Sequence, residues 1–209
     1  MQEASVGSWL QESHLSADIL GSLRDLNHRF LDLAALGSRE WAAAGDSGLP
    51  PDLAGQVALL SAAERRAAAG CPYALFDLRF QDDEHWRRRL QNPNIWHVAD
   101  ESVDDDTLSF VRLALFYAWH VASGAGLKAQ LLLGMTGDTA AAFRGITVNQ
   151  LAALVVTESV HLSARWSECA AFWYALTAAA SRADPAMLRR VQLHGLQLAA
   201  AARLSRPNT

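Results

Sequence analysis

Cysteine is nearly missing: Cys71 and Cys169 are the two in 209 residues, and they match neither C-x-x-C nor zinc-ligand spacing. That argues against a disulfide framework and suits a reducing cytoplasm. No run of 18 apolar residues occurs, and LAALVV (151–156) is too short to span a bilayer. The opening stretch, MQEASVGSWLQESHLSADIL, lacks the basic and apolar regions of a signal peptide. A soluble, cytoplasmic chain without membrane contact is expected. Positive charge is in deficit, 18 Lys and Arg against 22 Asp and Glu, so the chain lacks the basic field that carries non-specific nucleic-acid affinity. DNA contact is therefore expected to be indirect or weak. Reaction signatures are lacking too: there is no H-E-x-x-H, no G-x-S-x-G and no phosphate-cradling glycine loop. No catalytic residue, cofactor or metal ligand is assigned.

What is present is material for a packed helical core. Hydrophobic residues are 51% of the chain and charged residues 19%, with seven Trp, which excludes disorder as the ground state. Ala, Leu and Arg dominate, β-branched runs are scarce and helix punctuation recurs, so the fold class is all-α. Ile19, Leu23, Leu26, Phe30, Leu33 and Ala34 form a stripe at helical spacing, with Ser16 or Asp18 as cap, an end near Ala35 and closure at Gly37. A short helix is expected over 39–44, then a GDSG turn and a helix start at Pro50 and Pro51.

The chain also matches itself. Laying Gly134 on Gly48, an offset of 86, aligns two equal windows without a gap. Gly48 meets Gly134, Leu60 meets Ile146, and Arg79-Phe80 meets Arg165-Trp166. Ser61-x-x-Glu64 and Thr147-x-x-Gln150 fall in the same register, and both read as capping boxes, each stabilising a helix start by about 0.5–2 kcal/mol. Each unit is then a long helix, a short helix, a capped helix-turn-helix hairpin and an aromatic-bearing helix around Trp86 or Trp173. The expected organisation is an arm (1–16), a first unit (17–90), a connection (91–106), a second unit (107–180) and a C-terminal packing helix (184–204). Asp104 to Asp106 favour the second long helix through its dipole.

The segment Leu113 to Trp166 resembles FlhD, a subunit of the flagellar master transcriptional activator of proteobacteria. The resemblance is carried by Ala118, Leu133-Gly134-Met135, Ala140, Ile146-Thr147, Gln150, Leu154 and Arg165-Trp166. The first unit resembles it through Asp25-Leu26-Asn27, Leu31, Leu33-Ala34, Gly48-Leu49, Ala54, Leu60-Ser61 and Arg79-Phe80. It implies a non-enzymatic regulator acting through a protein partner, and an intramolecular pseudo-dimer in place of an intertwined homodimer. Homo-oligomerisation is left open. The family's cysteine is replaced by Phe76 and Leu162, so its intersubunit disulfide is not expected.

The candidate partner or nucleic-acid surface is Arg65, Arg66, Arg87, Arg88 and Arg89. Its simpler reading is a solvated face in which Asp82, Asp83 and Glu84 pair with the arginines. Asn149 and Gln150 are followed by the apolar LAALVV, which argues against a base-reading helix. The alternative function is a small-molecule-binding or metal-dependent helical domain using the groove between the units. For it, Asp82, Asp83, Glu84 and His85 with His97, Asp100 and Glu101 offer oxygen and imidazole donors, while His120, His161 and His194 read as ordinary histidines of apolar helices. Trp166, Phe172, Trp173 and Tyr174 read as core, with Arg165 and His194 as polar neighbours.

Overall fold

Pro51 opens a helix and Asp104 caps one, as their backbone chemistry favours. A computed structural model describes residues 17–36, 51–91 and 104–204. Their elements are α1 (Ala17–Leu36), α2 (Pro51–Leu59), α3 (Ala62–Ala68), β1 (Phe76–Asp77), α4 (Asp83–Gln91), α5 (Asp105–Gly124), α6 (Gly126–Leu133), α7 (Gly137–Arg144), α8 (Val148–Ser159), β2 (Ser163–Ala164), α9 (Ala170–Ser181) and α10 (Pro185–Leu204). The protein is all-α, with one two-residue antiparallel ladder among the described residues, Phe76 opposite Ala164 and Asp77 opposite Ser163.

Local chemistry explains the helix starts. Both capping boxes form completely: Ser61 accepts from the Glu64 N–H and Thr147 from the Gln150 N–H, and each acid or amide side chain returns to its cap. Asp104 accepts from Thr107 N–H at 2.8 Å, with Asp105 and Asp106 in the first turn of α5. Thr136 caps α7 in the same way.

The two halves, 17–91 and 104–204, share some local features. α1 and α5 each span 20 residues. Trp86 Nε1 donates to Arg79 O at 3.0 Å, and Trp173 Nε1 donates to Arg165 O at the same distance. Arg79 and Trp166 both sit in the left-handed region at φ 54°, the second turn being one residue longer.

The packing exchanges parts between the halves. α1 lies against α5; α4 packs on α7, while α9 packs on α2 and α3. The Trp-bearing helix of each half, α4 or α9, thus covers the other half's hairpin. Trp86, fully buried, meets Phe143 of α7 at 4.7 Å between ring centroids. Across the centre, Phe76 of β1 lies edge-on to Phe110 of α5 at 5.1 Å, with Phe30 of α1 at 6.1 Å from Phe76. Side chains of this kind each stabilise the fold by about 1.5–3 kcal/mol on burial.

Asn27 organises the loop before β1. Its Nδ2 donates to the carbonyls of Ala69, Cys71 and Tyr73, and its Oδ1 accepts from Leu75 N–H at 2.9 Å. α10 docks on α9, with Gly195 against the Tyr73 ring; the Tyr73 hydroxyl donates toward the carbonyls of Val191 and Gln192.

Several expected details shift. Asp18 lies inside the first turn of α1 rather than capping it. α4 keeps Gln91 and α5 already contains Asp105 and Asp106, so the connection is shorter than 91–106; α9 runs on to Ser181. His161 follows the end of α8 instead of lying within a helix, and His120 is exposed. Ser16, Gly37, the helix over 39–44, the GDSG turn and Pro50 lie outside the described residues.

Candidate functional site

α4 presents two faces. Asp83, Trp86, Arg87 and Leu90 line a groove of about 410 Å³ closed on its other side by α7 and the start of α8, including Asp138 and Ala142. This groove lies between the two halves. Asp83 is already engaged within it, accepting from the hydroxyls of Thr136 and Thr139.

His85 and Arg89, one turn apart on α4, point instead to the last turn of α8. There Glu158 is completely buried. Its Oε2 lies 2.7 Å from His85 Nε2, and its Oε1 lies 3.1 Å from Arg89 Nε and accepts more weakly from Thr157 Oγ1 at 3.4 Å. A carboxylate removed from water requires such compensation, because an unpaired buried charge costs several kcal/mol. His161, half-buried, completes the group, its ring 5.0 Å from that of His85 and nearly perpendicular to it. Burial holds the His161 imidazole below its ordinary pKa; Glu158 opposes this, while the positive charges of Arg79, His85 and Arg89 add to it. Ligand atoms of His85, Glu158 and His161 all lie within 4.8 Å of one another. Two imidazoles and a carboxylate so gathered can hold a divalent metal or relay a proton.

A second polar cluster lies in the core. Arg165 is buried, donates from Nη1 to Leu132 O at 3.2 Å and stacks over Trp166 at 4.4 Å. Burial pushes its pKa down to about 10, against the pull of Asp77, and pushes the Asp77 carboxyl up. Tyr73 packs edge-on to Trp166 at 5.1 Å; Trp166, Phe172 and Trp173 are core, and Tyr174 is half-buried against it. His194 lies beside Phe172 at 6.2 Å.

The five candidate arginines do not share one environment. Arg87 and Arg88 pair with Glu84 on the exposed face of α4, as the charge pattern suggests. Asp82 and Asp83 take other work: Asp82 accepts from His85 N–H at 2.9 Å, and Asp83 binds the threonines. Arg89 turns inward to Glu158, and Arg65 turns to Asp32 of α1 at 2.7 Å. Arg66 is exposed. Of the donors considered for a metal, His97, Asp100 and Glu101 lie outside the described residues, and only His85 belongs to the observed group.

Glu158 was missed, and His161 was read as a bystander. Two spacings carry the missing signal: Glu158-x-x-His161, a single acid in an otherwise apolar stretch, and His85-x-x-x-Arg89 on one helix face. Each places both side chains on the same side of its segment. No family model matches the chain, and neither the curated proteins nor the solved structures yield a match.

Proposed function

We propose that this protein is a non-enzymatic cytoplasmic regulator that acts through protein–protein contacts, its two halves standing in for the two subunits of a FlhD-like dimer. The observation that supports this reading is the exchange of Trp-bearing helices, α4 onto α7 and α9 onto α2, around the Asp77–Ser163 pair. An internal duplication accounts for it: Asp77 and Ser163 are 86 residues apart, the offset that aligns the two sequence windows. A single chain then completes an interface that otherwise needs two copies. Arg66 and the Arg87–Arg88 face supply an exposed contact surface, and DNA is reached through the partner.

Light scattering on the purified full chain should give a monomer near 22.7 kDa. Affinity capture with mass spectrometry should recover a transcriptional regulator in near-stoichiometric amount. A chain that forms a stable dimer by α4 and α9 exchange between copies, or captures no regulator, counts against the reading.

A further inference from the structure

His85, Glu158 and His161 are the one group of three or more potential ligand residues brought together among the described residues. They come from two elements far apart in sequence, α4 and the end of α8, and meet where the two halves cross. We propose that they form a binding site for a divalent transition metal, of which Zn²⁺ is the best match, with an open coordination position.

The donor chemistry supports this. Two imidazole nitrogens and one carboxylate oxygen are a set that Zn²⁺ takes with three protein ligands and a fourth exchangeable one. The carboxylate is oriented for it. Oε1 of Glu158 is held from outside by Arg89 Nε and Thr157 Oγ1, which leaves Oε2 beside His85 Nε2 as the metal-facing oxygen. Outer contacts of this kind fix a ligating carboxylate and strengthen the site.

Geometry asks for a modest adjustment. Bonds of about 2.0–2.2 Å in a tetrahedral site place ligand atoms about 3.3–3.6 Å apart. His85 Nε2 and Glu158 Oε2, at 2.7 Å, open slightly as the metal replaces the proton between them. His161, whose ligand nitrogen lies within 4.8 Å of the other two ligand atoms, moves inward, and it is half-buried on a turn rather than locked in a helix. The charges of Arg79 and Arg89 reach His161 and make the surroundings electropositive. This site does not depend on the regulatory reading and can exist whether or not a protein partner is found.

The test uses the tag-free full chain, stripped with chelator and titrated with Zn²⁺ by calorimetry and with Co²⁺ by visible absorption. One equivalent should bind, and Co²⁺ should give the intense absorption of a tetrahedral site. His161→Ala leaves the His85–Glu158–Arg89 contacts in place and should weaken binding by at least about tenfold, the smallest loss seen even for outer contacts. His85→Gln should do the same, each variant being checked for unchanged helical circular dichroism. Absence of saturable binding by the native chain, or unchanged affinity in both folded variants, overturns the site.

Discussion

A Cβ added to Gly134 would stand 2.5 Å from Nη2 of Arg165 and 2.9 Å from its Cζ. Gly134 also ends α6 at φ 76°, in the left-handed region that side chains resist. Gly134→Ala is therefore expected to cost about 2–3 kcal/mol, from backbone strain plus displacement of a buried guanidinium. Gly55, inside α2 with nothing within 4 Å of its Cβ position, provides the contrast. Gly55→Ala should stabilise by about 0.5–1 kcal/mol. Urea unfolding of the two variants measures both.

Asn27→Leu should destabilise by about 3 kcal/mol. The substitution strips three carbonyls and the Leu75 N–H of their side-chain partner, and a buried polar group left unsatisfied costs about 1–3 kcal/mol. Hydrogen exchange should show the largest loss of protection at the Leu75 amide. Unchanged exchange there would mean that the loop is held by other contacts.

Three consecutive arginines should behave differently. Arg87→Ala and Arg88→Ala remove exposed pairs with Glu84 and should each change stability by less than about 0.5 kcal/mol, with the small effect fading in salt. Arg89→Ala leaves the buried Glu158 carboxyl in contact with His85 but without its guanidinium partner, and should cost about 3 kcal/mol. Equal effects at all three positions, measured by denaturant titration, would refute the inward placement of Arg89.

Alkali should weaken the fold. Burial pushes the Cys71 thiol up to about 12 and raises the Tyr73 and Tyr117 hydroxyls as well. As pH climbs past the ordinary values of 9.0 and 10.0, the unfolded chain releases protons that the folded chain retains, so stability falls. The denaturation midpoint should drop between about pH 9 and 11. Cys71→Ala and Tyr117→Phe should flatten that limb. In the native protein Cys71 should resist a thiol reagent at pH 8 until denaturant is added.

Much of the fold was legible because its signals are local. The apolar stripe from Leu23 to Ala34 and the two capping boxes depend on residues three or four apart, so spacing alone reveals them; Asp104, expected only to favour α5 through its dipole, also caps it. The β1–β2 ladder was not read from the sequence: Phe76-Asp77-Leu78-Arg79-Phe80 does alternate apolar and polar residues, but only Phe76 and Asp77 pair, and they do so because the halves meet there. Asn27 was quoted as part of a family pattern, yet its work on the 69–75 loop is done 42 to 48 residues away. Gly195, which in isolation only weakens a helix, is the point of closest approach to Tyr73.

The sequence by itself determined where helices begin and which of their faces are apolar, since both follow from short-range backbone chemistry and periodicity. Tertiary structure decided which polar residues meet. His85 and Glu158, 73 residues apart, become neighbours because α4 crosses to the opposite half. Arg89 is drawn to the same carboxylate while Arg87 and Arg88 stay in solvent. Helical spacing separates those faces, but only the packing of α8 determines which one encounters a buried charge.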